Sequence, residues 1–168
     1  MQFIVHTDGG ARGNPGQAAV GILIEIYQSD PLRRSVSEAS KKQKTSKIVV
    51  KKRIGKIGDA NVDDLPKSSF AFGHTRWATH GGVTEVNAHP HLDCTGTIAL
   101  IHNGIVENYE ELKKTLLKKG HRFISQTDTE VAVHLIEEYA KKTMFSKAVQ
   151  KSFIDMEGLN AVIAMSSD

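Results

Sequence analysis

Four short stretches carry residue types that could do chemistry together: GHTRWATHG (73–81), NAHPH (87–91), HNG (102–104) and TDTE (127–130). Arg76 offers a planar, permanently charged fork that suits a carboxylate. Asp128 is suited to an ammonium and falls in the first turn of a predicted helix, where the dipole favours its ionised form. Asn103 and Gly104 stand at the end of a predicted strand, where a side-chain amide and a backbone N–H can be aimed at one developing oxyanion. Taken singly, each has a plainer reading. Asn-Gly is usually a turn, Asp128 a helix-start residue, Arg76 a surface ion pair and Trp77 core packing. The functional case rests on all four blocks occurring in order. His89, His91, Asp93 and Cys94 are also ligand types that zinc accepts.

In order and spacing these blocks resemble the signatures of class II glutamine amidotransferases, above all the glutaminase domain of glutamine–fructose-6-phosphate aminotransferases. Intervening pieces such as IVENYEEL and LKKGH match too. The resemblance covers residues 47–168 closely and 18–46 loosely. It implies an α+β fold, a four-layer αββα sandwich of the N-terminal-nucleophile hydrolase type, with this chain expected to stop before the family's domain does. Residues 1–168 then form one partial amidotransferase domain that handles glutamine, releasing ammonia to convert fructose 6-phosphate to glucosamine 6-phosphate. By the same resemblance Arg76, Thr79, His80 and Asp128 bind glutamine, Asn103 and Gly104 form the oxyanion hole, and Trp77 gates ammonia. NAHPH takes a structural role with no metal, and no cofactor is implied. Fructose 6-phosphate is met only through isomerase domains beyond this chain, and the full-length family allows a homodimer.

In that class the nucleophile is a leading cysteine whose own α-amine, with a pKa near about 8, accepts the thiol proton. Here residue 1 is Met, residue 2 is Gln, and Cys94 is the one cysteine. The chain by itself is therefore expected to be inactive. Residues 1–24 resemble instead the opening of ribonuclease H, with Asp8 delivered by a first strand into a glycine-rich turn. That enzyme needs several carboxylates around two Mg²⁺ ions, and the matching downstream blocks are not recognisable. A ribonuclease H-like nuclease and a non-catalytic glutamine- or partner-binding module are the alternatives.

The elements that must position these residues follow from local pattern. Strands are predicted at 2–7, 18–27 and 47–55, the last two as a hairpin across a long polar loop at 28–47. GHTRWATHGG continues a strand beginning near 68, and TIALIHNG is a buried strand stopped by Asn-Gly. Asn108 with Glu111, and Thr127 with Glu130, have capping-box spacing at two helix starts. Leu112, Leu116 and Leu117 form the apolar face of the first helix, and Gly120 ends it. Val131, Leu135 and Tyr139 recur on the second. HRFIS is predicted as a short strand, and GLNAVIAMSSD as the last.

Composition narrows the class. With 39% hydrophobic and 24% charged residues among 168, the chain reads as one soluble globular unit. No apolar run is long enough to span a membrane, and the start has no signal-peptide character. One cysteine cannot form an internal disulfide, which fits a reducing, cytoplasmic setting. Net charge is only +3, but residues 41–53 hold seven of the 22 Lys and Arg. Lysines there discourage edge-to-edge strand pairing, and the lack of nearby aromatic residues argues against a nucleic-acid surface.

Overall fold

The computed structural model describes residues 4–8, 19–27, 46–55, 65–66, 68, 70–76 and 82–167. Strands β1 (Ile4–Asp8), β2 (Ala19–Tyr27), β3 (Ser46–Ile54) and β4 (Phe70–Arg76) form one sheet in the order β1-β4-β2-β3. β1 runs parallel to β4, with Asp8 opposite Thr75, while β2 is antiparallel to both β4 and β3. The expected β2–β3 pairing is present, from Tyr27 opposite Ser46 to Ala19 opposite Ile54. The lysine-bearing β3 is an edge strand. Strands β5 (His91–Leu92), β6 (Ile98–Gly104) and β7 (Asn160–Ser166) form a second sheet, with β6 in the middle. Helices α1 (Tyr109–Lys118), α2 (Thr129–Ala140) and α3 (Phe145–Asp155) lie between β6 and β7 in the chain.

Alternation along the strands decides the layering. Ile98 and Leu100 of β6 join Val162 and Ala164 of β7 in a cluster with Leu116 of α1, residues 131–133, Leu135 and Ile136 of α2, and Ala148 of α3. The intervening Ala99, Ile101, Ile163 and Met165 pack instead against Ile48 and Phe72 of the first sheet. The second sheet is thus covered on both faces, by helices and by the other sheet. This is the α+β sandwich expected, with three of its four layers among the described residues. Helix α2 is the centrepiece: Thr129 to Ile136 are all buried, as for a helix enclosed on every side.

Local signals misplaced several details. Asn108 and Asp128 occupy the N-cap positions of α1 and α2, but neither makes a side-chain cap bond. Asn108 instead donates to Asp155 O and accepts from Glu157 N–H, fastening α1 to the end of α3. Thr127, one residue before the cap, bonds Ser125 and His91. Glu130 does reach back, but to the N–H groups of Ile124 and Ser125 and to the Ser125 hydroxyl. HRFIS is no strand, because its amides are satisfied by Glu130 and by Cys94 Sγ rather than by a ladder. Leu116 is buried but Leu117 is half exposed, so the apolar face of α1 is narrower than expected. Helix α3 and the two-residue β5 were not anticipated. Gly120 ends α1 as expected: its φ is +90°, and His121 N–H returns to Leu116 O. Of the loop at 28–47, residues 28–45 lie outside the described residues.

Candidate functional site

The same alternation that layers the fold aims the site residues. Phe72, His74 and Arg76 of β4 share one face, and all three are buried. On β6, Asn103 shares its face with Ala99 and Ile101, towards the first sheet, while His102 faces the helices. His74 Nε2 and Asn103 Oδ1 meet at 2.8 Å across the inter-sheet layer. Arg76 follows His74 by two strand residues, about 7 Å. The cleft beside them, about 70 Å³, is lined by His74, Ile101, Asn103 and Ile163 among others. Arg76 and Asp128 stand outside that lining.

Asp128 is buried at the start of α2, and its Oδ2 accepts the Val106 N–H at 2.9 Å. That bond ties the head of α2 to the chain three residues after Asn103, a span of at most about 10 Å. Burial pushes the Arg76 guanidinium down from its ordinary pKa, and the nearby Asp128 charge opposes that shift. Arg76 Nη1 donates to Gly82 O at 3.4 Å. Asn87 donates to the same carbonyl at 3.0 Å and accepts the Gln126 N–H at 3.0 Å. Asn87 therefore couples the strand that carries Arg76 to the loop that carries Asp128. Of the other expected binding residues, Trp77, Thr79 and His80 lie outside the described residues.

Gly104 has a φ of +126° and pairs with Asn160 of β7. A Cβ built there would stand 2.1 Å from Leu159 O, so the close approach of β6 to the turn before β7 requires glycine. Gly158, with φ +97°, meets Ile105 O in the same way from the opposite side.

Behind Asn103 lies a buried relay that the sequence reading did not single out. His74 Nδ1 meets His89 Nδ1 at 3.0 Å, and His89 Nε2 meets Thr129 Oγ1 at 3.0 Å. Thr129 Oγ1 meets His102 Nδ1 at 3.0 Å, and His102 Nε2 meets Asn160 Oδ1 at 2.9 Å. Asn103 and Asn160 close the two ends. Five links need five protons, whereas three neutral imidazoles and one hydroxyl supply four. Either one imidazole is protonated or one terminal amide turns to donate. Asn160 is fixed by its own donations to Glu157 O and Gly158 O. Burial, reinforced by neighbouring His91, His74 and His102, holds His89 well below the usual imidazole pKa, so His89 is a neutral member. The orientation of the Asn103 amide is thereby linked to protonation along this chain. His74 was legible only as part of the first block; its i, i+2 relation to Arg76 on a strand was the available signal.

The four residues weighed as zinc ligands in the sequence take different partners, although the His89 and His91 rings stay in edge contact at 5.3 Å. His89 belongs to the relay, and His91 bonds Thr127 Oγ1 at 3.0 Å. The Asp93 carboxylate accepts the Ile98 N–H at 2.8 Å and organises the turn between β5 and β6. Cys94 turns towards His121, His134 and Glu137.

Comparison with known proteins agrees with this architecture. Residues 31–150 match the family described as "Glutamine amidotransferase domain". The chain is 49% identical over 127 residues to a glutamine–fructose-6-phosphate aminotransferase (isomerizing) of Pyrococcus horikoshii, covering 73% of this chain and 21% of that protein. It is 55% identical over 97 residues to the Thermococcus kodakarensis counterpart, covering 57% of this chain and 16% of that protein. The chain thus spans about a fifth of the length of the curated relatives it matches. Among solved structures, the glutamine phosphoribosylpyrophosphate amidotransferase of B. subtilis superposes with a TM-score of 0.66 at 25% identity, over 90% of this chain and 30% of that one. The match begins at residue 31, beyond the ribonuclease H-like opening, and favours the amidotransferase reading over the nuclease and the non-catalytic module. With its family match over most of its length and the amidotransferase fold, the chain belongs to the glutamine amidotransferase domain family.

Proposed function

We propose that this chain is the glutamine-handling part of a fructose-6-phosphate aminotransferase. The observation that supports the reading is the His74–Asn103 contact between facing sheets, two strand residues from Arg76, which in turn lies within electrostatic reach of Asp128 at the head of α2. In this reading Arg76 grips the glutamine α-carboxylate by charge-assisted hydrogen bonds. Asp128, with Oδ2 already engaged by Val106, turns its other oxygen to the α-ammonium. The Asn103 amide and Gly104 N–H stand at the far end, where an oxyanion would develop on the side-chain amide. Thr79 and His80 complete the glutamine pocket, and Trp77 gates ammonia towards the sugar site. Residues 1–168 act as a single amidotransferase domain. Fructose 6-phosphate is met by the parts of such relatives that this chain does not match, in a cytoplasmic setting that allows a homodimer. Among the described residues, no helix is long and apolar enough to cross a membrane.

The 168-residue polypeptide should bind glutamine without hydrolysing it. Its one cysteine, Cys94, contacts Glu137, nine residues along α2 from Asp128, or about 13 Å. Burial also pushes the Cys94 thiol up, away from the thiolate. Calorimetric titration with glutamine, run beside an ammonia-release assay, tests both halves. Asp128→Asn keeps an acceptor for Val106 but removes the charge, and should weaken binding by about 10- to 100-fold, the loss of one charge-assisted bond. Ammonia release should stay at background. Unchanged affinity in Asp128→Asn would remove Asp128 from the pocket, and turnover lost in Cys94→Ala would make Cys94 the nucleophile.

A further inference from the structure

We propose that Cys94, His121, His134 and Glu137 form a closed site for one zinc-type divalent ion, separate from the glutamine pocket. Their donor atoms all lie within 4.8 Å of one another. Cys94 Sγ is 3.8 Å from His121 Nδ1 and 3.7 Å from His134 Nδ1. Glu137 Oε2 is 3.0 Å from His121 Nδ1 and 2.9 Å from His134 Nδ1. Ordinary zinc bond lengths with tetrahedral angles place sulfur and nitrogen donors about 3.6 Å apart, and nitrogen and oxygen donors about 3.3 Å apart. Both sulfur–nitrogen edges are slightly longer and both nitrogen–oxygen edges slightly shorter than those values, so on these four edges an adjustment of a few tenths of an ångström reaches zinc geometry. Each of the two Nδ1 atoms faces both Glu137 Oε2 and Cys94 Sγ, so the four donor atoms enclose one point where a single cation can replace the shared hydrogen bonds.

The surroundings are those of a metal site. His121 turns Nε2 to Glu138 at 3.1 Å, the carboxylate backing that orients a ligating imidazole. His134 Nε2 is buried without a hydrogen bond and faces Glu130 Oε1 at 3.8 Å, the same arrangement held slightly open. The Arg122 N–H points at Cys94 Sγ, and the Cys94 N–H at Glu137 Oε2. A thiolate and a carboxylate cancel the charge of a divalent ion, and thiolate with two imidazoles favours zinc over magnesium or calcium. His121 and His134 are buried, while Cys94 and Glu137 keep a partly exposed edge through which an ion could enter. Four protein ligands leave no open position, so the role is structural. The ion would fasten the β5–β6 turn, the segment after α1 and the middle of α2, stiffening the helix whose head carries Asp128.

Cobalt titration of tag-free, chelator-stripped protein tests this. The spectrum should saturate at one equivalent with tetrahedral bands and a thiolate-to-cobalt charge-transfer band, and zinc should displace them. Zinc at 100 times its Kd should raise the melting midpoint by about 5–10 °C. Cys94→Ser should lose the charge-transfer band and weaken zinc binding by about 100-fold or more, since it removes a direct ligand. Glu138→Gln, one step out, should weaken it by about 10-fold with stoichiometry intact. A folded wild-type protein with no charge-transfer band in excess cobalt overturns the proposal. So does a Cys94→Ser protein that binds zinc as tightly as wild type. If Cys94→Ser does not fold, the wild-type spectrum and Glu138→Gln decide.

Discussion

Gly104→Ala should destabilise the protein by more than about 4 kcal/mol, a magnitude reserved for backbone clashes and core disruption. The added Cβ would stand 2.1 Å from Leu159 O, 3.1 Å from Leu159 C and 3.2 Å from Asn160 Cα. Every one of those atoms is backbone, so no side chain can swing aside. The end of the β6–β7 ladder must open, and Gly104 opposite Asn160 is its last registered pair. The φ of +126° adds strain of about 1–3 kcal/mol for any residue with a Cβ. Gly96→Ala is the matched control: its φ is +73°, but nothing lies within 4 Å of the added carbon. It should cost only about 1–2 kcal/mol, the left-handed penalty alone. Denaturant midpoints of the two variants separate clash from conformation. If both lose the same small amount, the close approach at Gly104 is not what holds this turn. Glutamine affinity should fall with stability in Gly104→Ala and stay near wild type in Gly96→Ala, because only the first moves the oxyanion donors.

What the sequence made legible follows from the range over which each signal acts. β6 was readable because its apolar run and its Asn-Gly stop are contiguous. Arg76 and Asp128 were singled out because the four blocks occur in order, as in the amidotransferases they resemble; residue type alone favoured a surface ion pair and a helix start, and the burial of Arg76 came only with the fold. Asn87 and His74 were not singled out, because they act through others: Asn87 joins Gly82 to Gln126, 39 residues away, and His74 acts on Asn103, 29 residues away. The capping boxes failed for the same reason. Asn108 satisfies the local spacing, yet its partners are Asp155 and Glu157, 47 and 49 residues on. Cys94 was grouped with His89, His91 and Asp93 because they are neighbours in the chain. In a turn beside a sheet, neighbours point in different directions, and the fold groups it with residues 27 to 43 positions later. Long-range packing, not propensity, decided these cases.

Glu130→Ala should cost about 3–5 kcal/mol, the range for breaking a buried charged network by removing one partner. Glu130 is buried in α2 and accepts three hydrogen bonds: Ile124 N–H at 2.9 Å, Ser125 N–H at 2.7 Å and the Ser125 hydroxyl at 2.7 Å. Burial alone would raise its pKa, but His134 and these donors outweigh burial and bring it to about 2, so the acceptor is a carboxylate. Alanine leaves the buried Ser125 N–H and hydroxyl without their acceptor, at about 1–3 kcal/mol for each unmet group, while the amide of the exposed Ile124 can turn to water. It also removes the carboxylate that faces His134. The loop at 124–127 then loses its anchor. That loop carries Gln126, held by Asn87, and Thr127, held by His91, immediately before Asp128. Glu130→Gln keeps one acceptor oxygen and the side-chain volume, so it should cost only about half as much. Amide hydrogen exchange gives the local readout: protection at Ile124 and Ser125 should fall in Glu130→Ala to near that of an open loop, beyond the global loss reported by the β6 amides, and only partly in Glu130→Gln. An alanine variant within about 1 kcal/mol of wild type, with both amides still protected, would mean that the loop is held by its packing and not by this carboxylate.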